Sequence, residues 1–359
     1  MKANKIAIIT LYGNYNYGNK LQNYAVEHIF SAYGIEPATI DYRKSVNEQN
    51  ARKIFRTLTG YHFSKNRKLW MALAKKEKLL KKFSDKNLHV IRLTNVNKLK
   101  KQFDFFCTGS DQVWNPVWFD DRTKHLMLLD FVDRKRKMSL SASFGVEQIP
   151  DEWQAFFEER LKEFEKISVR EDAAEHIVNE LCGTAVETNI DPTLMLDSQE
   201  WSALTQKPAE YSEECVKNSL VMYFLGDINP EIWRKVREIA KENKLQIIVL
   251  DRSDVEGSVI PSLEEWLYYI ENAKLVVTDS FHGSVFSFLF DRNLLICSRK
   301  DQYDSMNSRL ESLTEKFKLK DRLEENCLIE NMLSHDYTAG YKALNNEREK
   351  LRSYIESVI

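Results

Sequence analysis

Short apolar runs alternate with amphipathic stretches almost from end to end of this chain. The runs at residues 5–11, 38–42, 103–108, 137–142, 166–170 and 186–190 read as buried strands, and stretches of helical period such as 19–32 and 151–165 follow most of them. That alternation predicts an α/β fold built on parallel sheets. A polar stretch without strand signals, 196–218, precedes a second series, with strands at 219–225, 245–250, 275–278 and 293–298 and helices at 230–243, 262–272, 284–290 and 306–317. The expected architecture is two doubly wound Rossmann-like domains facing a cleft, 1–200 and 201–335. A tail, 336–359, ends in an amphipathic helix expected to pack back on the first domain.

Residues 44–86 interrupt the first domain with a basic helical insertion, in which Arg52, Lys53, Arg56, Lys75, Lys78, Lys81 and Lys82 interleave with Phe55, Leu69, Trp70 and Leu79. Such a pattern is a candidate for contact with an anionic membrane surface, and its alternative is a solvated basic face. Elsewhere charge is balanced: 52 basic and 54 acidic side chains give a net −2, which offers nucleic acid no electrostatic footprint. No apolar run reaches the roughly 20 residues that span a bilayer, and the first ten residues read as a strand and not as a signal peptide. Five scattered cysteines without a C-x-x-C pair or zinc spacing predict a reducing cytoplasm and no structural metal.

Chemistry concentrates at the predicted strand ends. In Lys274-Leu-Val-Val-Thr-Asp-Ser-Phe-His282-Gly-Ser-Val-Phe-Ser-Phe-Leu-Phe290, His282 falls between a buried strand and a helix too apolar to be exposed. Ligands of open α/β sheets bind in that crevice, and the free N–H groups of a helix start favour anions. Ser280, Gly283 and Ser284 flank the histidine there. The alternative is a core histidine bonded to a neighbouring loop.

Three turns of the first domain belong to the same rim. The first βα turn carries Gly13, Asn14, Asn16, Gly18, Asn19 and Lys20 ahead of Gln22, which suits a ligand at a helix start or a plain turn that needs positive φ. It matches neither the dinucleotide fingerprint nor the P-loop. Gly109-Ser-Asp-Gln-Val-Trp114 brings Ser110, Asp111, Gln112 and Trp114 to another strand end, where polar groups hold sugar hydroxyls and the indole stacks on a sugar face, unless Asp111 is a helix N-cap. Arg170, at a strand-to-helix turn, suits capture of carboxylate or phosphate, or an ion pair with Glu171, Asp172 or Asp191.

In this order the pieces resemble the polysaccharide pyruvyltransferase family. The signatures are Asn16-Tyr-Gly-Asn-Lys-Leu-Gln22, Gly109-Ser-Asp-Gln-Val-Trp114, Ser141-Ala-Ser-Phe-Gly145, Ser168-Val-Arg-Glu-Asp172, Asp191-Pro-Thr-Leu194 and Thr278-Asp-Ser-Phe-His-Gly283. The resemblance implies a GT-B-like fold and transfer of a pyruvyl group from phosphoenolpyruvate, as co-substrate and without a cofactor, onto a sugar of a cell-surface or exopolysaccharide precursor as a cyclic ketal. By the same resemblance His282 is the catalytic acid, and Arg170, Ser280, Gly283, Ser284 and Arg309 face the donor. Asn16, Asn19, Lys20, Gln22, Ser110, Asp111, Gln112 and Trp114 are expected on the acceptor side, where a lipid-linked oligosaccharide is one candidate and the membrane's inner face one location. One position departs from the family: many members carry arginine two residues before the histidine, and Ser280 stands there. Arg309 is the preferred substitute, ahead of Arg299 and Lys20. A nucleotide-sugar glycosyltransferase and a non-catalytic saccharide-binding relative are the other readings.

Overall fold

The computed structural model describes residues 4–43, 67–298, 307–327 and 331–359. Its first sheet has the order β3-β2-β1-β4-β5, formed by β1 (Lys5–Ile9), β2 (Glu36–Asp41), β3 (Val90–Arg92), β4 (Phe105–Thr108) and β5 (Lys137–Ser139), all paired in parallel. Isolated bridges from Asp111 to Ala142 and from Ala142 to Val169 extend that surface to the pair β6 (Ile167–Val169) and β7 (Val186–Thr188). A second sheet, β11-β10-β8-β9, is formed by β8 (Ser219–Tyr223), β9 (Gln246–Leu250), β10 (Leu275–Thr278) and β11 (Asn293–Ile296), again parallel. Val, Ile and Leu fill β10, which is buried throughout, because helices cover both faces of such a sheet. Strand β3 was not read from the sequence; it is three half-exposed residues at the sheet edge, too few to show a pattern.

Each sheet reverses its winding direction once. In the first, the chain leaves β1 towards β2 and β3 and returns on the other side with β4. In the second, it leaves β8 towards β9 and returns with β10. Crevices open outside the carboxyl ends of strands at such reversals. The turns after β1 and β4 and the turn after β10 are therefore the places where polar side chains converge.

The two halves meet through aromatic side chains. Tyr17 lies parallel to Trp266, with ring centroids 5.8 Å apart, and donates its hydroxyl to the Pro261 carbonyl at 2.8 Å. Trp201, at the start of the second half, meets Tyr24 of the first with ring centroids 5.6 Å apart. Lys76, on the Arg67–Asn87 helix, forms a buried ion pair with Asp251 of the second half. The Thr338–Val358 helix starts against the second half, where the Tyr341 hydroxyl donates to Phe288 O at 2.9 Å. It ends on the first, where Arg348 donates to Leu194 O and Leu196 O and Tyr354 donates to Ser139 O at 2.8 Å. Residues 44–66 of the basic insertion lie outside the described residues.

Candidate functional site

His282 occupies the first turn of the Phe281–Leu289 helix. Ser280 caps that helix, its hydroxyl accepting from the Gly283 N–H at 3.3 Å, so the serine that stands in place of an arginine satisfies a helix end. Gly283 lets the helix press on β10, since a Cβ there would lie 2.5 Å from the Thr278 Oγ1. Ser284 does not face a ligand: its hydroxyl donates back to Ser280 O at 3.1 Å, the usual outlet for a serine buried inside a helix.

Opposite lies the Tyr17–Ala32 helix, capped by Asn16, whose side chain accepts from the Asn19 N–H at 3.3 Å. Gly18 on its first turn makes room for the His282 ring, as a Cβ there would sit 2.1 Å from Nδ1. Asn19 donates its amide to Asp111. Gln22 is consumed by the scaffold, donating to Thr10 Oγ1 at 2.9 Å and accepting from the Ser110 N–H at 3.1 Å. Lys20 points elsewhere. It is 0% exposed, with its ammonium 3.8 Å above the Tyr12 ring, and so cannot reach a ligand or substitute for the missing arginine.

Asp111 caps no helix. Its backbone is left-handed (φ 72), and its carboxylate receives Asn19 on one oxygen and, on the other, Arg170 at 3.2 Å and Arg309 at 3.7 Å. Arg170 was expected to be open to a donor, yet its guanidinium holds three carboxylates: Asp191 at 2.9 Å, Asp111 at 3.2 Å and Glu171 at 3.5 Å. Burial leaves it no other course, since a buried guanidinium must be paired. Trp114 also departs from expectation: it is 1% exposed, donates to Met127 O and packs on Phe144 and Phe164, so neither face is free for a sugar. Gln112 is buried against Gly145, and the Ser110 hydroxyl bonds Ser141 O and Asp191.

Asp191, which the sequence offered only as an ion-pair partner of Arg170, also faces His282. Its Oδ1 accepts from the Thr193 N–H and hydroxyl, while its Oδ2 accepts from Arg170 and lies 3.8 Å from the His282 Nε2. The signal was the Asp-Pro-Thr-Leu motif, whose Pro at the first position of a turn marks the aspartate as its cap. Burial pushes the His282 imidazole below its ordinary value; Asp191 and Asp111 pull it up, and Arg170 and Arg309 push it down again. Burial also works against the ionised Asp111 and Asp191, but the arginines and His282 outweigh it and hold both carboxyls below the usual range. A cavity of about 20 Å³, room for about one water, lies between Arg170, Asp191, Phe281 and Arg309.

Comparison with known proteins fits this geometry. A UDP-N-acetylglucosamine 2-epimerase structure aligns over 99% of this chain and 97% of its own at 12% identity, with a TM-score of 0.50. The UDP-GlcNAc 2-epimerase of Methanocaldococcus jannaschii aligns over 98% of this chain and 99% of its own at 11% identity, with a TM-score of 0.49. At such identity the first likeness shows the fold alone, a GT-B-like pair of Rossmann-like domains. No curated protein matches the chain. The family model of polysaccharide pyruvyl transferase matches residues 16–301, a span that holds every residue of the cluster except Arg309, and the chain belongs to that family.

Proposed function

We propose that this transferase moves the pyruvyl group of phosphoenolpyruvate onto a sugar as a cyclic ketal and releases inorganic phosphate. Support comes from one observation: His282 lies 3.8 Å from Asp191, at the edge of a network in which Arg170 joins Asp191 to Asp111, and Asn19 and Arg309 meet Asp111. In this reading His282 protonates the methylene carbon of the donor, and the neighbouring carbon becomes oxocarbenium-like. One sugar hydroxyl adds to that carbon, phosphate departs, and a second hydroxyl closes the ring. Arg170 and Arg309 supply the positive charge that the donor's carboxylate and phosphate require, exchanging their present carboxylate partners for it.

The acceptor in this reading is a polysaccharide precursor, lipid-linked in its simplest form. An apolar surface supports contact with a membrane. Trp70 and Met71 are 58% and 63% exposed on the Arg67–Asn87 helix, beside the exposed Lys75, Lys78, Lys81 and Lys82. Among the described residues no helix is long and apolar enough to cross a bilayer.

Phosphate release from phosphoenolpyruvate, with p-nitrophenyl hexosides and a lipid-linked oligosaccharide as acceptors, tests the proposal. Acceptor-dependent release that His282→Ala abolishes is expected. Transfer from a nucleotide sugar instead would move the chain to the glycosyltransferase reading. Flotation with anionic vesicles, weakened by a Trp70→Glu, Met71→Glu double variant, is the expected membrane result, and failure to float would remove it.

A further inference from the structure

Ketal formation leaves a proton balance that His282 alone does not close. Two hydroxyl O–H bonds break, and one proton ends on the new methyl group while the other must leave with phosphate. His282 gives its proton to the methylene carbon and, as neutral imidazole, recovers one from the second hydroxyl. The first hydroxyl attacks before that and needs a separate base.

Besides His282, three carboxylates among the described residues face this site. Asp191 is 0% exposed, and the Thr193 N–H and hydroxyl and the Ser110 hydroxyl hold it turned into the protein even when Arg170 is engaged elsewhere. Glu171 is engaged by the Ser143 hydroxyl and Arg170. Asp111 is the most open of the three, with a side chain 10% exposed. It also stands at the switch point of the first sheet, at the end of β4, where Asn19 from the turn after β1 fixes its plane. Its left-handed backbone (φ 72) turns its carboxylate out of the strand direction towards the crevice.

We propose that Asp111 is the general base for the attacking sugar hydroxyl, and that the donor itself releases it by taking over Arg170 and Arg309. This rests on the pyruvyl-transfer reading above. Without donor, Asp111 occupies the guanidinium groups that a carboxylate and a phosphate would take. With donor bound, the same arginines face the donor's negative charge, and Asp111 is left with Asn19 and with His282 and Asp191 nearby. Its basicity rises because the cations that held its charge are neutralised. The hydroxyl O–H then breaks as the new C–O bond forms, the proton passes to an Asp111 oxygen, and it leaves with the phosphate. The acceptor site thereby becomes reactive only after the donor is in place.

Two measurements on the full chain test this. Calorimetry with phosphoenolpyruvate is expected to show tighter binding to Asp111→Asn, by at least about threefold, because a competing carboxylate is gone. Phosphate release with p-nitrophenyl hexosides that offer a 1,2- or 1,3-diol is expected to fall about 10²–10⁴-fold in the same variant. Asp111→Glu should recover part of that loss. Asn19→Ser, which removes only the orienting bond, should lower turnover while leaving donor affinity within twofold, a result that a folding defect would not give. Unchanged or weaker donor binding by a folded Asp111→Asn, or turnover within tenfold of wild type, overturns the proposal. A wild-type chain that binds no phosphoenolpyruvate defeats the pyruvyl-transfer reading itself.

Discussion

Gly18 and His282, from opposite halves of the molecule, are packed so closely that a Cβ on the glycine would lie 2.1 Å from the imidazole Nδ1. Gly18→Ala is therefore a contact test with little local cost. Alanine favours the Tyr17–Ala32 helix by about 1 kcal/mol, so the first half should fold at least as well. Its methyl must displace His282 or hold the halves apart. Turnover is expected to fall at least about a hundredfold, as a misplaced catalytic group does. Activity near wild type would show that the two residues are not in contact during catalysis.

Arg170→Ala should be among the most destabilising single changes in the chain. It leaves Asp111, Asp191 and Glu171 facing one another without their shared cation. Breaking a buried pair costs about 3–5 kcal/mol. Urea unfolding should show that loss, and Arg170→Lys, which cannot fork to three partners, should recover only part of it.

Lys20 gives a pH-dependent prediction. Burial lowers its ammonium from the ordinary 10.5 to about 7, with Arg43 pushing the same way against Asp41 and Asp85. Between those two values the unfolded chain holds a proton that the folded chain does not, so wild-type stability rises with pH across that window. Lys20→Met keeps the volume and removes the charge. It should be the more stable protein below pH 7, by on the order of 5 kcal/mol at most, and the gap should close towards pH 10.5. Guanidinium unfolding at the two ends of the window measures both, and an equal gap at both ends would contradict the charge argument.

The pH–rate profile follows from His282. Because burial holds the imidazole below its ordinary value, with Asp191 and Asp111 opposing and Arg170 and Arg309 reinforcing, the acid form is scarce at neutral pH in the free protein. Acid catalysis should then make kcat/KM fall as pH rises through that lowered value. Bound donor brings negative charge beside the ring and raises it. The alkaline limb of kcat should lie at higher pH than that of kcat/KM, and coincident limbs would show that the donor does not charge the histidine.

Much of this site was legible because the switch-point rule turns strand order into proximity. His282, Asn19 and Asp111 follow β10, β1 and β4, and each was readable as a polar residue at a strand end. Side-chain direction was not readable. Trp114 and Lys20 sit in the same motifs as Asp111 and Asn19, one or a few residues away, yet their side chains turn into the core. A turn gives no fixed period from which to predict which of its residues face the crevice. Asp191 was readable as a partner for Arg170, but its approach to His282 was not, because neither motif says that the turn after β7 meets the turn after β10.

The Thr338–Val358 helix begins against Phe288 and ends against Ser139, so the polypeptide crosses between the halves twice, before β8 and again along this helix. Two covalent crossings act as a pair of hinge pins. They limit how far the register of Gly18 against His282 can drift when the noncovalent contacts between the halves loosen. Cutting the chain ahead of residue 338 would remove one pin, and the remaining half-hinge would let the reacting groups meet in many wrong registers.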